Sequence, residues 1–139
     1  MFERILFATD GSTAAERILL YVEHLAKVEK TEVIVCHAYE LPTHYSSVER
    51  YEKLAEEYSA VAQAVVDEAV EQLRQAGVSA RGLIRLGMAS EAILAIADEV
   101  DASLIVMGAR GAPSLAEMLL GSVSHQVMRR ARRPVLVVP

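Results

Sequence analysis

Gly108, Gly111, Gly121 and Ser122 follow the spacing G-x2-G-x9-G-S inside residues 107–125, MGARGAPSLAEMLLGSVSH. Glycine permits positive φ and close approach to the backbone, so a turn built from Gly108 and Gly111 can aim several N–H groups at one anion. Gly121 and Ser122 then open a helix, whose free N–H groups and positive dipole end favour phosphate. Together they suit a polyphosphate. Backbone needs alone also explain each glycine: Gly108 ends a strand, Gly111 makes a turn and Gly121 starts a helix. The stretch is not a Walker A loop, because Gly121 is followed by Ser122 rather than by Lys-Ser or Lys-Thr.

Strands and helices must position these residues, and the chain alternates between them. Residues 2–8, FERILFA, form an apolar run that stops at TDGS, a cluster of turn and cap residues. From residue 13 to 30, Ala15, Ile18, Leu19, Val22, Leu25, Ala26 and Val28 recur with the period of an amphipathic helix. EVIVCHAY is continuous and rich in β-branched residues, as in a strand buried on both faces. A long helix begins near Ser46. Its stripe of Tyr51, Leu54, Tyr58, Val61, Val65, Ala69, Leu73 and Ala76 reads as core packing, and Gly77 suits a left-handed cap.

A third strand over 79–86 leads past Gly87 into SEAILAIADEV, with Ser90 as the expected N-cap. ASLIVMG is the fourth strand, and Leu115, Met118 and Leu119 have the spacing of a short scaffold helix. A helix over 121–132 is closed by Pro134 before a last strand, PVLVV. Five strands and four helices in alternation imply right-handed crossovers. The expected fold is a single doubly wound α/β domain over residues 1–139, its five-stranded parallel sheet ordered 3-2-1-4-5 with helices on both faces. In such sheets ligands bind beyond the carboxyl ends of the strands.

Composition excludes several classes. The net charge of −5 disfavours a polyanionic partner, so no nucleic acid is expected; RRARR, residues 129–133, fits cations at a helix C-terminus. The lone Cys36 rules out an intrachain disulfide and reads as a buried inert thiol. His24, His37, His44 and His125 lack short metal spacing, and no metal site is expected from them. No basic-then-apolar leader opens the chain and no apolar run reaches membrane-spanning length, which places the expected protein in the cytoplasm.

The glycine spacing resembles the nucleotide-binding signature of the ATP-binding universal stress proteins. The likeness runs the length of the chain, through ILFATDGS, VIVCHAYE, RLGMASEAI and RRPVLVVP in order. It implies that Ala8, Thr9 and Asp10 meet the base and ribose, the Asp10 carboxylate accepting from a ribose hydroxyl; an Asx-turn or helix cap is the other reading of Asp10. It further implies adenine contacts from the main chain at Ala38 and a nucleoside cavity lined by Gly87, Met88 and Met107. Gly108, Gly111, Gly121 and Ser122 would cradle the phosphates, with Val123 and Ser124 supplying the next N–H or hydroxyl. Arg110 either pairs with a phosphate or points to water. The implied cofactor is ATP, and Mg2+ or Mn2+ bridging its phosphates is compatible with the family, although the sequence offers no protein ligand set for the metal. Ala8 departs from a proline frequent in the family. By the same likeness His37 falls near the pocket, where a hydrogen-bonded structural histidine is expected.

The resemblance implies a stress-response switch driven by an adenine nucleotide, with at most slow ATP hydrolysis. A ligand-free homodimeric interaction module is the alternative, disfavoured because the chain keeps its glycines. A phospho-acceptor receiver shares the fold, yet Leu86 and Gly87 stand where its phosphorylatable aspartate belongs. The last strand, Val135 to Val138, lies on the sheet edge in this winding order and invites pairing with a second copy, as does the family likeness.

Overall fold

The computed structural model describes residues 1–109 and 121–139. Strands β1 (Arg4–Ala8), β2 (Glu32–Tyr39), β3 (Ala80–Leu86), β4 (Leu104–Gly108) and β5 (Val135–Val138) alternate with helices α1 (Thr13–Glu29), α2 (Val48–Gln75), α3 (Ala89–Glu99) and α4 (Ser122–Arg130). All four strand pairings are parallel, and the order is β3-β2-β1-β4-β5, as expected. Phe7 thus stands between Val35 of β2 and Val106 of β4. The short helix expected around Leu115, Met118 and Leu119 lies outside the described residues.

Strand alternation divides the apolar residues between two cores. Ile5, Phe7, Val33 and Val35 pack under α1 and α2, while Leu6, Ile34, Cys36, Ile105 and Met107 pack under α3 and α4. Serine side chains start the first two helices: Ser12 Oγ accepts from Ala15 N–H at 3.3 Å and Ser47 Oγ from Arg50 N–H at 3.1 Å. Gly77, at φ 87°, ends α2 in the left-handed turn that the sequence predicts.

Three expectations need correction. The α2 stripe is core only in its C-terminal part, where Ala62, Val66, Ala69, Val70 and Leu73 are buried; Tyr51, Tyr58 and Val61 are exposed. The reason is length. Twenty-eight residues make a helix of about 42 Å, whereas the eight residues of β2 cover about 26 Å, so the helix outruns its sheet. Second, Ser90 does not cap α3; Met88 occupies the N-cap without a side-chain bond, and Ser90 is buried in the first turn. Third, positive φ is not what Gly108 supplies: among the described glycines it occurs at Gly11, Gly77 and Gly87, whereas Gly121 opens α4 as expected.

Candidate functional site

A cleft of about 110 Å³ opens beyond the carboxyl ends of β1, β2 and β4. It lies where the winding reverses, since the chain leaves β1 toward β2 and returns from β3 to β4 on the other side. The space admits an organic ring system rather than a single water. Ala8, Cys36, Ala38, Ile93 and Met107 give it apolar walls; Thr9, Asp10, His37, Gly108 and Ser124 add polar groups or bare backbone.

The turn after β1 is fixed by its own polar groups. Thr9 N–H donates to Cys36 O at 2.9 Å, extending the β1–β2 ladder, and Thr9 Oγ1 accepts from Gly11 N–H at 3.1 Å. Asp10 Oδ1 accepts from Ser12 N–H at 2.9 Å, which is the Asx-turn. A carboxylate has capacity for further donors, and Asp10 is exposed at the cleft. His37 Nδ1 lies 2.8 Å from Thr9 O, so this histidine is hydrogen-bonded as expected. Burial pushes the Cys36 thiol up to about 12, against a weak opposing pull from Arg85; the thiol is therefore neutral and serves as apolar wall.

The start of α4 is built differently. Gly121 N–H donates to Ala109 O at 2.7 Å, and Ser124 Oγ lies 2.8 Å from that same carbonyl and 3.0 Å from Gly121 O. These bonds tie the helix to the end of β4 and commit the Ser124 hydroxyl proton internally, leaving its amide for a ligand. The first intrahelical bond is from His125 N–H to Gly121 O, at 3.0 Å, so the amides of Ser122, Val123 and Ser124 have no helix carbonyl behind them. Among the described residues no side chain caps them.

The fold brings Ala8, Thr9, Asp10, Ala38, Met107, Gly108, Val123 and Ser124 to one cleft. Gly121 and Ser122 immediately precede the lining residue Val123. Gly87 and Met88 are not among the lining residues: Gly87 N–H bonds Tyr39 O at 2.9 Å, Met88 is exposed, and the wall there is Ala89 and Ile93. Arg110 and Gly111 lie outside the described residues. Cys36, Ala89 and Ile93 also line the cleft, and nothing in their type or spacing marks them as site residues in the sequence.

Among the described residues, no three His, Cys, Asp or Glu side chains group as a metal site, and no helix is long and apolar enough to cross a membrane. In the RRARR segment, Arg133 bonds Asp98 at 2.8 Å while Arg129 and Arg130 occupy the last turn of α4.

The model of the universal stress protein family matches residues 1–139. The chain is 33% identical to universal stress protein YxiE of Bacillus subtilis, covering 99% of both chains. It is similar to the solved structure of MJ0577, a protein of Methanocaldococcus jannaschii, with TM-score 0.87, 32% identity and coverage of 99% and 96%. It is also similar to a universal stress protein crystallised in complex with cAMP, with TM-score 0.75, 27% identity and coverage of 99% and 97%.

Proposed function

The chain belongs to the universal stress protein family, and on that premise we propose that its cleft binds an adenine nucleotide, ATP foremost. One observation carries the reading: an apolar cleft and an uncapped helix N-terminus meet at the winding reversal, so one end suits a purine and the other an anion. The relative that holds cAMP supports an adenine nucleotide as the ligand class. In this reading Ala8, Thr9 and the main chain of Ala38 hold the base, and the free oxygen of Asp10 accepts from the ribose. The amides of Ser122, Val123 and Ser124 meet the phosphates together with Gly108, Gly111 and Gly121, and Arg110 is a candidate phosphate partner. Gly87 and Met88 form the turn beside the nucleoside, and Met107 its floor. Bound Mg2+ or Mn2+ would neutralise phosphate charge; the described residues offer it no ligand cluster, so its donors would come from the nucleotide and water.

The protein then acts as a nucleotide-dependent switch in the stress response, with hydrolysis slow at most. In this reading Asp10 serves the ribose and the His37 ring holds Thr9 O, so neither of these two cleft side chains is placed to activate water at a terminal phosphate. A protonated, buried Cys36 without a disulfide partner suits a cytoplasmic setting. Isothermal titration with ATP and magnesium tests the reading: saturable heat is expected. No heat and no melting shift at millimolar ligand would leave the ligand-free module standing.

We also propose a homodimer through β5, because among the described residues the sheet order leaves one side of Val135–Val138 without a neighbouring strand. Charged replacements at Val135 and Val137 should sediment as folded monomers; an intact dimer would point to another interface.

A further inference from the structure

The peptide plane between Thr9 and Asp10 carries the Thr9 carbonyl at one end and the Asp10 Cα at the other. Because the peptide is rigid, whatever fixes that carbonyl also fixes where the Asp10 side chain begins. Thr9 N–H belongs to the preceding plane and Gly11 N–H to the following one, so the bonds those groups make do not restrain it. Among the described residues, the bond made to this plane is the one from His37 Nδ1 to Thr9 O, 2.8 Å long. A carbonyl only accepts, so Nδ1 carries the proton.

We propose that His37 is a positioning residue, which clasps the Thr9 carbonyl and so aims the Asp10 carboxylate at the cleft. The place of His37 at the end of β2 puts it within reach of the loop after β1. Val33 and Val35 belong to the core under α1 and α2, Ile34 and Cys36 to the core under α3 and α4. His37 follows them where β2 reaches the cleft, beside Cys36 and Ala38. His37 is itself among the residues that line the cleft, so this hold on the Thr9 carbonyl is made at the cleft's own edge. Its effect on ligand rests on the nucleotide-binding reading; the clasp itself does not.

The test uses His37→Asn, whose amide nitrogen superposes on Nδ1, and His37→Gln, whose amide falls nearer the place of Nε2. Both are compared with wild type by amide hydrogen exchange without nucleotide and by ATP titration with magnesium. His37→Gln should speed exchange at the Gly11 and Ser12 amides and weaken ATP binding, each about tenfold, while His37→Asn stays near wild type in both. In an Asp10→Ala background His37→Gln should weaken binding no further, because the group it positions is gone. Unchanged exchange in His37→Gln, or an equal loss of affinity with and without Asp10, would overturn the proposal. Should wild type not bind ATP, the nucleotide reading falls and exchange alone decides the clasp. His37→Leu serves the same comparison if the glutamine variant does not fold.

Discussion

The helices on the two faces of the sheet begin in opposite ways. On one face α1 and α2 start with Ser12 and Ser47, each closing its first turn with a hydroxyl. On the other, α3 starts at Met88 and α4 at Gly121, and neither receives a side-chain cap among the described residues. Amides left without a cap need water or a ligand, and they carry the positive end of the helix dipole. The uncapped pair borders the cleft through Ala89 and Val123. The capped face spends its polar side chains on holding itself together; the uncapped face leaves its donors for something else.

Giving α4 a cap of its own should break this contrast most sharply. Gly121→Asp places a carboxylate where the phosphates would sit, and ATP affinity should fall more than about a hundredfold by calorimetry. Melting temperature should hold or rise slightly, since aspartate caps a helix better than glycine by a few tenths of a kcal/mol, about. Retained affinity would show that the start of α4 is not the anion seat.

The next effect concerns the wall of the uncapped face. The Cys36 thiol is raised in the fold to about 12 from an ordinary 9.0, so the unfolded chain loses this proton first. Stability from this group is whole below the ordinary value and declines above it, by about 1.4 kcal/mol per pH unit until the folded thiol also ionises. Denaturation midpoints at about pH 8 and about pH 10 should differ in wild type and differ less in Cys36→Ala. The smallest effect belongs to the capped face: Ser47→Ala should cost about 1 kcal/mol or less and leave ATP affinity unchanged, because Ser47 is not among the residues that line the cleft.

The fold was legible because periodicity survives in single residues. EVIVCHAY matches the bounds of β2, Glu32–Tyr39, and continuous β-branched runs signalled a sheet covered on both sides. The stripe on α2 misled because helical spacing shows which residues share a face, not whether a sheet lies beneath them. Ser90 failed as a cap for a similar reason: a serine near a helix start is a frequent cap, but tertiary packing drew this one inside. At the site, Asp10 and the glycines stood out by chemistry, whereas Cys36, Ala89 and Ile93 could not be told from core, since an apolar cleft wall and a core are made of the same residues. Gly82 was silent too. A Cβ there would stand 2.0 Å from Val66 Cγ1, so its bareness serves the packing of α2 on β3, which only three-dimensional proximity reveals.

No residue of α2 before Ala62 is buried, so its first half is held by bonds within the helix more than by the body of the protein. A segment of that kind can unravel and rewind by itself while the strands stay paired. Fast amide exchange from Val48 to Val61 would therefore measure a local melting event, and the exchange rates of β1 and β4 would have to be consulted for the stability of the whole.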